Sequence, residues 1–396
     1  MLNQKMLELG TKRSAIRELF EYGRKRKELL GSDKVFDFSI GNPSVPAPEC
    51  FTQILTDLVQ NTDPVALHGY TSAQGEASVR KAIAASEEAR CGCKVNPDLI
   101  YMTCGAAASL TISLHALCNE GDEVIVLAPF FPEYRVFVEK AGAVLKVVEC
   151  LPDTFQIDFQ ALSKAITSRT KAVILNSPNN PTGAVIPGED LKKLGKLLAE
   201  KEADRDSELY LICDEPYRAL TYGDAKAEYV PSYYNRTIIC YSYSKALSLP
   251  GERIGYILVP PTRPDGAMVY AAICGAGRAL GFVCAPALMQ YAVAKCPDAV
   301  ADLSVYEKNR KILSEGLKEI GYSVTPPDGA FYLFVKALEE NAAAFCEKAK
   351  EFELLLVPSE SFGVKGYVRI SYCVSTQQIE NSLPAFRALY ESYGKK

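Results

Sequence analysis

Between residues 99 and 259 the chain repeats one pattern: a short, nearly continuous apolar run bounded by polar or helical segments. The runs are Leu99–Thr103, Glu123–Leu127, Leu145–Glu149, Ala172–Asn176, Leu209–Cys213, Thr237–Tyr241 and Gly255–Val259. Their Val, Ile and Leu content suits strands covered on both faces. Stretches with helical spacing stand between several of them, at 107–118, 132–141 and 189–202. Strands alternating with helices predict an α/β layer on a mainly parallel sheet. Ligands of such sheets bind beyond the carboxyl ends of the strands.

After about residue 286 the pattern changes. Helical segments over 286–319 and 339–352 flank shorter strands at Ala330–Val335 and Tyr367–Tyr372. This predicts a second, α+β domain. Near the N-terminus, residues 14–30 predict an amphipathic helix with Ile16, Leu19, Phe20 and Gly23 on one face. Val35–Ile40 reads as a short strand that ends at the turn Gly41-Asn-Pro43. The expected division is a large domain over 45–285 and a small one built from 1–44 and 286–396.

Composition works here mainly by exclusion. A net charge of −4 argues against nucleic acid as the main partner. The basic run Arg24-Lys-Arg-Lys27 reads as a solvated helix face. No apolar run is long enough for a membrane span, and the N-terminus lacks the apolar stretch of a secretory signal. The 13 cysteines are scattered and odd in number. Most, such as Cys118, Cys213, Cys240 and Cys284, stand in apolar contexts. Buried thiols in a reducing, cytoplasmic compartment are expected rather than a disulfide framework. Cys91-Gly-Cys93 is the single close pair, and His68 and His115 are the only histidines. No metal site is expected, and a hydrolase built on a catalytic histidine is disfavoured.

The chemistry-bearing residues gather at or just past predicted strand ends. Lys245 lies in Tyr241-Ser-Tyr-Ser-Lys245, ahead of Gly251-Glu-Arg-Ile-Gly255; Asp214 ends a run and begins Asp-Glu-Pro-Tyr217; Asn180 lies in Ser-Pro-Asn-Asn-Pro-Thr-Gly183. An amine, an acid, an amide, a phenol and a guanidinium in this arrangement suit pyridoxal phosphate, whose aldehyde a lysine holds as a Schiff base. Lys245 is expected in that role and then as general base. Asp214 is expected to keep the pyridine nitrogen protonated. Asn180 and Tyr217 are natural donors to the phenolic oxygen. Gly105, Ala106, Ala107, Ser242, Ser244 and Arg253 offer backbone amides, hydroxyls and a cation to a phosphate. Phe131 is placed to stack on the ring. Arg369, mid-strand in Tyr-Val-Arg-Ile-Ser, suits a substrate α-carboxylate.

Taken together these residues resemble the fold-type I, class I/II aminotransferases, especially the aspartate and aromatic aminotransferase-like group. The resemblance runs from Gly41-Asn-Pro43 through Tyr70, Gly105-Ala-Ala107, the asparagine motif, Asp214, Lys245 and Arg253 to Gly329-Ala-Phe-Tyr332 and Arg369. It implies a large cofactor domain on a seven-stranded, mainly parallel sheet, a small domain from both termini, and a homodimer with shared sites. It implies that Tyr70 reaches the partner's cofactor phosphate and that Gly41 lies near the substrate carboxylate. It also implies that Arg278, from the partner subunit, binds the distal carboxylate of aspartate or glutamate. The expected reaction is ping-pong transfer of an amino group to a 2-oxo acid. A carbon–sulfur β-lyase on the same scaffold would need the same cofactor residues. A ligand-sensing regulator would need a DNA-binding segment for which the chain has little room.

Overall fold

The computed structural model describes residues 2–11, 15–262 and 265–395. Each of the seven apolar runs forms a strand, and the strands share one sheet. Across it they are ordered Ile100–Thr103, Gly255–Leu258, Thr237–Ser242, Tyr210–Asp214, Thr170–Asn176, Glu123–Ala128 and Val144–Glu149. Six run in one direction, five of them as directly paired parallel strands, whereas Gly255–Leu258 is antiparallel to both neighbours. The register sets Asn176 beside Asp214 and Asp214 beside Cys240, so several strands end level with one another. Six of the strands are buried along every residue or nearly so, which explains why they read as continuous apolar runs. The edge strand Val144–Glu149 has only Val148 buried, so the expected cover on both faces fails there.

The intervening helices Ala106–Leu117, Glu133–Lys140 and Gly188–Ala203 match the periodicity within a residue or two. The segment 286–319 differs. It is two helices, Ala287–Lys295 and Ser304–Ile320. Pro297 forces the break, because it disfavours helical backbone at Cys296 and cannot donate to the preceding turn. The first of these helices packs with Glu49–Asn61 and Ala77–Cys91, around Phe51, Leu58 and Ile83. A boundary at 286 therefore divides a continuous apolar cluster.

A second sheet joins Val357–Pro358, Tyr367–Ser371 and Tyr332–Lys336, all antiparallel. The N-terminal strand is only Phe36–Asp37, paired with Leu354–Leu355. It stops early because the Asp37 carboxylate accepts from both Ser39 N and Ser39 Oγ, which bends the chain away. Phe38 N then donates to Leu355 O, and Ser371 N to Phe38 O, so the N-terminal segment is held among C-terminal strands.

The N-terminal helix is Ala15–Leu30; position 14 lies outside the described residues. Leu19 and Gly23 are buried, but Phe20 is 42% exposed. The contact stripe is narrower than the apolar pattern suggests, and Phe20 sits about 100° round from Leu19. Gly23 is required by close approach, since a Cβ there would lie 2.7 Å from Leu355 Cδ1. The basic run on this helix is tied down by Arg26–Glu353 and Lys27–Asp37 ion pairs. All 13 cysteines are free, and five of them are buried. Among the described residues no helix is long and apolar enough to cross a membrane.

Candidate active site

All the residues expected at the site except Gly105, Tyr70 and Arg278 line one cavity of about 280 Å³, beyond the carboxyl ends of the central strands. Lys245 projects from the short helix Tyr243–Ala246, which starts where Ser242 caps Ser244 N. Its Nζ donates to Gly41 O at 2.7 Å. Burial, opposed by the neighbouring Cys373 and reinforced by the Arg253 and Arg369 cations, lowers the Lys245 pKa to about 8. About a tenth of the amine is then neutral at pH 7, against less than a thousandth for an ordinary lysine.

Asp214 ends its strand and is buried. Tyr134 Oη donates to its Oδ2 at 2.5 Å, while Oδ1 has no partner. Burial raises its pKa to about 7, with the Tyr134 bond working against that rise and Glu215 adding to it. A buried acceptor left unpaired costs about 1–3 kcal/mol, so a ligand N–H is the group this oxygen fits. The following turn is held from behind. Arg218 pairs with Glu87 and with Glu215, and its guanidinium lies 3.7 Å from the centre of the Tyr241 ring.

The anion end is assembled from three elements. Ala106 and Ala107 open a helix whose first amides have no intrahelical acceptor. Gly105 precedes them at φ +88°, and a Cβ there would come 2.8 Å from Arg253 Nη2. Glycine thus allows the guanidinium to lie against the helix start. Arg253 Nη1 donates to Pro250 O at 2.9 Å and to Ser244 Oγ at 3.4 Å, and Ser242 and Ser244 hydroxyls meet at 2.8 Å. Arg253 has no carboxylate partner among the described residues. Amides, hydroxyls and an unneutralised guanidinium fit a phosphate.

Arg369 is buried on its strand. Its Nη1 donates to Asn180 Oδ1 at 3.1 Å, its Nη2 to Ser39 O, and its Nε has no partner. Every acceptor it meets is neutral, and burial lowers its pKa. A carboxylate would satisfy what these neutral groups leave open. Tyr217 Oη and Tyr332 Oη are 2.9 Å apart, and Phe131 packs edge-on to Tyr134 at 5.7 Å. Gly41 has no room for a side chain, since a Cβ would meet Tyr332 Oη at 2.0 Å.

Several residues of the site escape sequence reasoning. Asn176 receives Asn180 N and donates to Asp214 O, both at 2.8 Å. Tyr134 holds Asp214. Tyr332 and Ile16 complete the cavity wall together with Leu110, Pro216 and Pro250. Signals existed for two of them. Tyr134 follows Phe131 by three residues, the spacing that brings side chains onto one helix face, and Tyr332 belongs to the motif Gly329-Ala-Phe-Tyr332. Of the three expected residues outside the lining, Gly105 backs the anion end, and two are not brought to the cavity of a single chain. Tyr70 is 90% exposed, and Arg278 is exposed on the last turn of Gly266–Ala279.

The sequence model of the family described as Aminotransferase class I and II matches residues 33–386. The chain belongs to this family. The aminotransferase is 30% identical over 389 residues to the probable aspartate aminotransferase of Methanocaldococcus jannaschii, covering 96% of this chain and 98% of that one. An amino transferase crystal structure from Eubacterium rectale superposes with a TM-score of 0.98 at 53% identity, over 100% of both chains. Aspartate aminotransferase from Thermus thermophilus with maleate gives a TM-score of 0.87 at 26% identity, over 98% of this chain and 99% of that one. The enzyme is a pyridoxal phosphate-dependent aminotransferase of fold type I, passing an amino group between an L-amino acid and a 2-oxo acid in two half-reactions. Nothing in these relatives supports the carbon–sulfur lyase alternative.

Proposed function

We propose that the cavity around Lys245 is the site of this transfer, in a cytoplasmic homodimer of amino acid biosynthesis that prefers aspartate as donor. One observation carries the site assignment. The cavity holds an unpaired buried acid oxygen on Asp214, an unpaired buried guanidinium nitrogen on Arg369 and an amine of lowered pKa on Lys245.

Asp214 Oδ1, left without a partner, would hold the cofactor's ring nitrogen. Asn180 and Tyr217 would hold its phenolic oxygen, and Phe131 would pack against its ring. Ala106, Ala107, Ser242, Ser244 and Arg253, with Gly105 behind them, hold the phosphate. When bound, pyridoxal phosphate supplies the aldehyde that captures amines and a ring that accepts the electron pair released at the substrate carbon. Arg369 clamps the α-carboxylate, with Gly41 beside it, and so fixes which substrate bond faces the ring. Lys245 Nζ anchors the cofactor at rest. Its Nζ would also be the base that moves the substrate's α-proton, a task its lowered pKa favours near neutral pH.

Sharing of the site between subunits accounts for the two residues that lie outside one chain's cavity. Tyr70, almost fully exposed, reaches the partner's phosphate group. Arg278 faces the partner's substrate and receives a distal carboxylate. Relatives named as aspartate aminotransferases support this preference. The chain divides into a large domain from 45 and a small domain from both termini. The packing of Ala287–Lys295 argues for a boundary after that helix rather than at 286. The decisive experiment mixes holoenzyme with single amino acids and follows the cofactor spectrum through the first half-reaction. Aspartate should convert the cofactor well ahead of alanine and phenylalanine; equal rates would overturn the aspartate preference. No conversion by any amino acid would overturn the site assignment.

A further inference from the structure

Tyr134 and Asp214 form a buried pair whose phenol has no part in the chemistry assigned above. The contact is 2.5 Å long and reaches only one oxygen of the acid. The other oxygen has no donor, and Asp214 borders the cavity. The phenol is placed by packing. Its ring is stacked 6.5 Å from Phe130 and edge-on 5.7 Å from Phe131.

A free carboxylate rotates and exchanges its two oxygens. A phenol fixed at one of them removes that freedom and directs the other toward the cavity. The titratable groups facing Asp214 are Glu215 beside it, the thiols of Cys213 and Cys240 on its own and the adjacent strand, Tyr217 across the turn, and Tyr134. None is a cation. Of these, Tyr134 is the one that stabilises the ionised acid, by donating a hydrogen bond to it.

We propose that Tyr134 is a positioning residue for the cofactor: it pins Asp214 Oδ2 and thereby presents Oδ1, ionised, to the pyridine nitrogen. The proposal rests on the assignment of Asp214 to that nitrogen. A phenol that merely filled the core would influence stability but not the protonation of the acid.

The test uses pyridoxamine phosphate, which cannot bond covalently to Lys245 and so isolates the ring contact. Its Kd for the apoenzyme is measured from about pH 6 to about pH 9. Affinity falls as pH drops through the Asp214 pKa. In Tyr134→Phe the stabilising bond is gone, so that fall should move to higher pH by on the order of one unit, with binding weakened roughly 10-fold. Replacing Tyr134 alone with a ring-fluorinated tyrosine, a stronger donor of nearly the same size, should move it the other way. Asp214→Asn separates the two claims. If Asp214→Asn binds like wild type, the assignment of Asp214 fails. If Asp214→Asn binds weakly but Tyr134→Phe keeps the wild-type affinity and pH midpoint, the positioning role alone is overturned. Should Tyr134→Phe not fold, an unshifted midpoint in the fluorinated protein overturns it.

Discussion

Lys245 Nζ donates a 2.7 Å hydrogen bond to the carbonyl oxygen of Gly41, a residue 204 positions earlier in the chain. The contact joins the end of a central strand to the N-terminal segment, which is itself hydrogen-bonded among C-terminal strands. The amine is thus oriented before any ligand arrives, and a substrate carboxylate held by Arg369 would sit against the same segment through Ser39.

Lys245 should carry the cofactor. Borohydride reduction of the holoenzyme followed by peptide mapping should place the pyridoxyl group on Lys245 and on no other lysine. Only the neutral amine attacks an aldehyde, so the rate at which apoenzyme captures pyridoxal phosphate should rise with pH through about 8. Stopped-flow absorbance measures this, and a rate that climbs only near the ordinary lysine pKa would contradict the lowered value.

Asp214 should make the apoenzyme less stable as pH rises. Its folded-state pKa, about 7, lies above the ordinary 3.8, so the folded protein binds the extra proton between these values. That contribution is present below about pH 4 and lost progressively up to about pH 7. Thermal melts of wild-type and Asp214→Asn apoenzymes should show the wild type losing ground across this window. A gain instead would mean that the acid is ionised and stabilised without the cofactor.

Arg369→Ala should lower kcat/KM for α-amino acids by on the order of 10²-fold or more. The loss corresponds to breaking a buried charged pair worth about 3–5 kcal/mol. An equal loss for an amine without a carboxylate would refute the contact.

Tyr70→Phe and Lys245→Ala subunits should complement one another. Mixed dimers regain one site with both groups intact, and activity should return above that of either variant alone. A fully active monomer by sedimentation would remove the shared site altogether.

Arg278→Ala should reduce kcat/KM for aspartate by roughly 10²-fold and leave alanine and phenylalanine nearly unchanged. If all three fall together, Arg278 acts on the interface rather than on specificity.

The sequence by itself determined most of the sheet, because a strand covered on both faces must be apolar along its whole length, and that leaves a readable run; the mostly uncovered edge strand Val144–Glu149 is the exception. It also determined most of the cavity. The ends of parallel strands converge in space, so Asp214, Ser242 and Lys245 are brought together by topology alone. Tertiary structure decided the rest. That Phe20 would face solvent, that Asn176 would bridge Asn180 and Asp214, and that Tyr134 would hold one oxygen of Asp214 depends on contacts between elements far apart in the chain. Such contacts are set by packing distance and side-chain direction, which local periodicity does not encode. Tyr70 and Arg278 show the same principle one level higher: a side chain left exposed by its own chain finds its chemistry only in what packs against it.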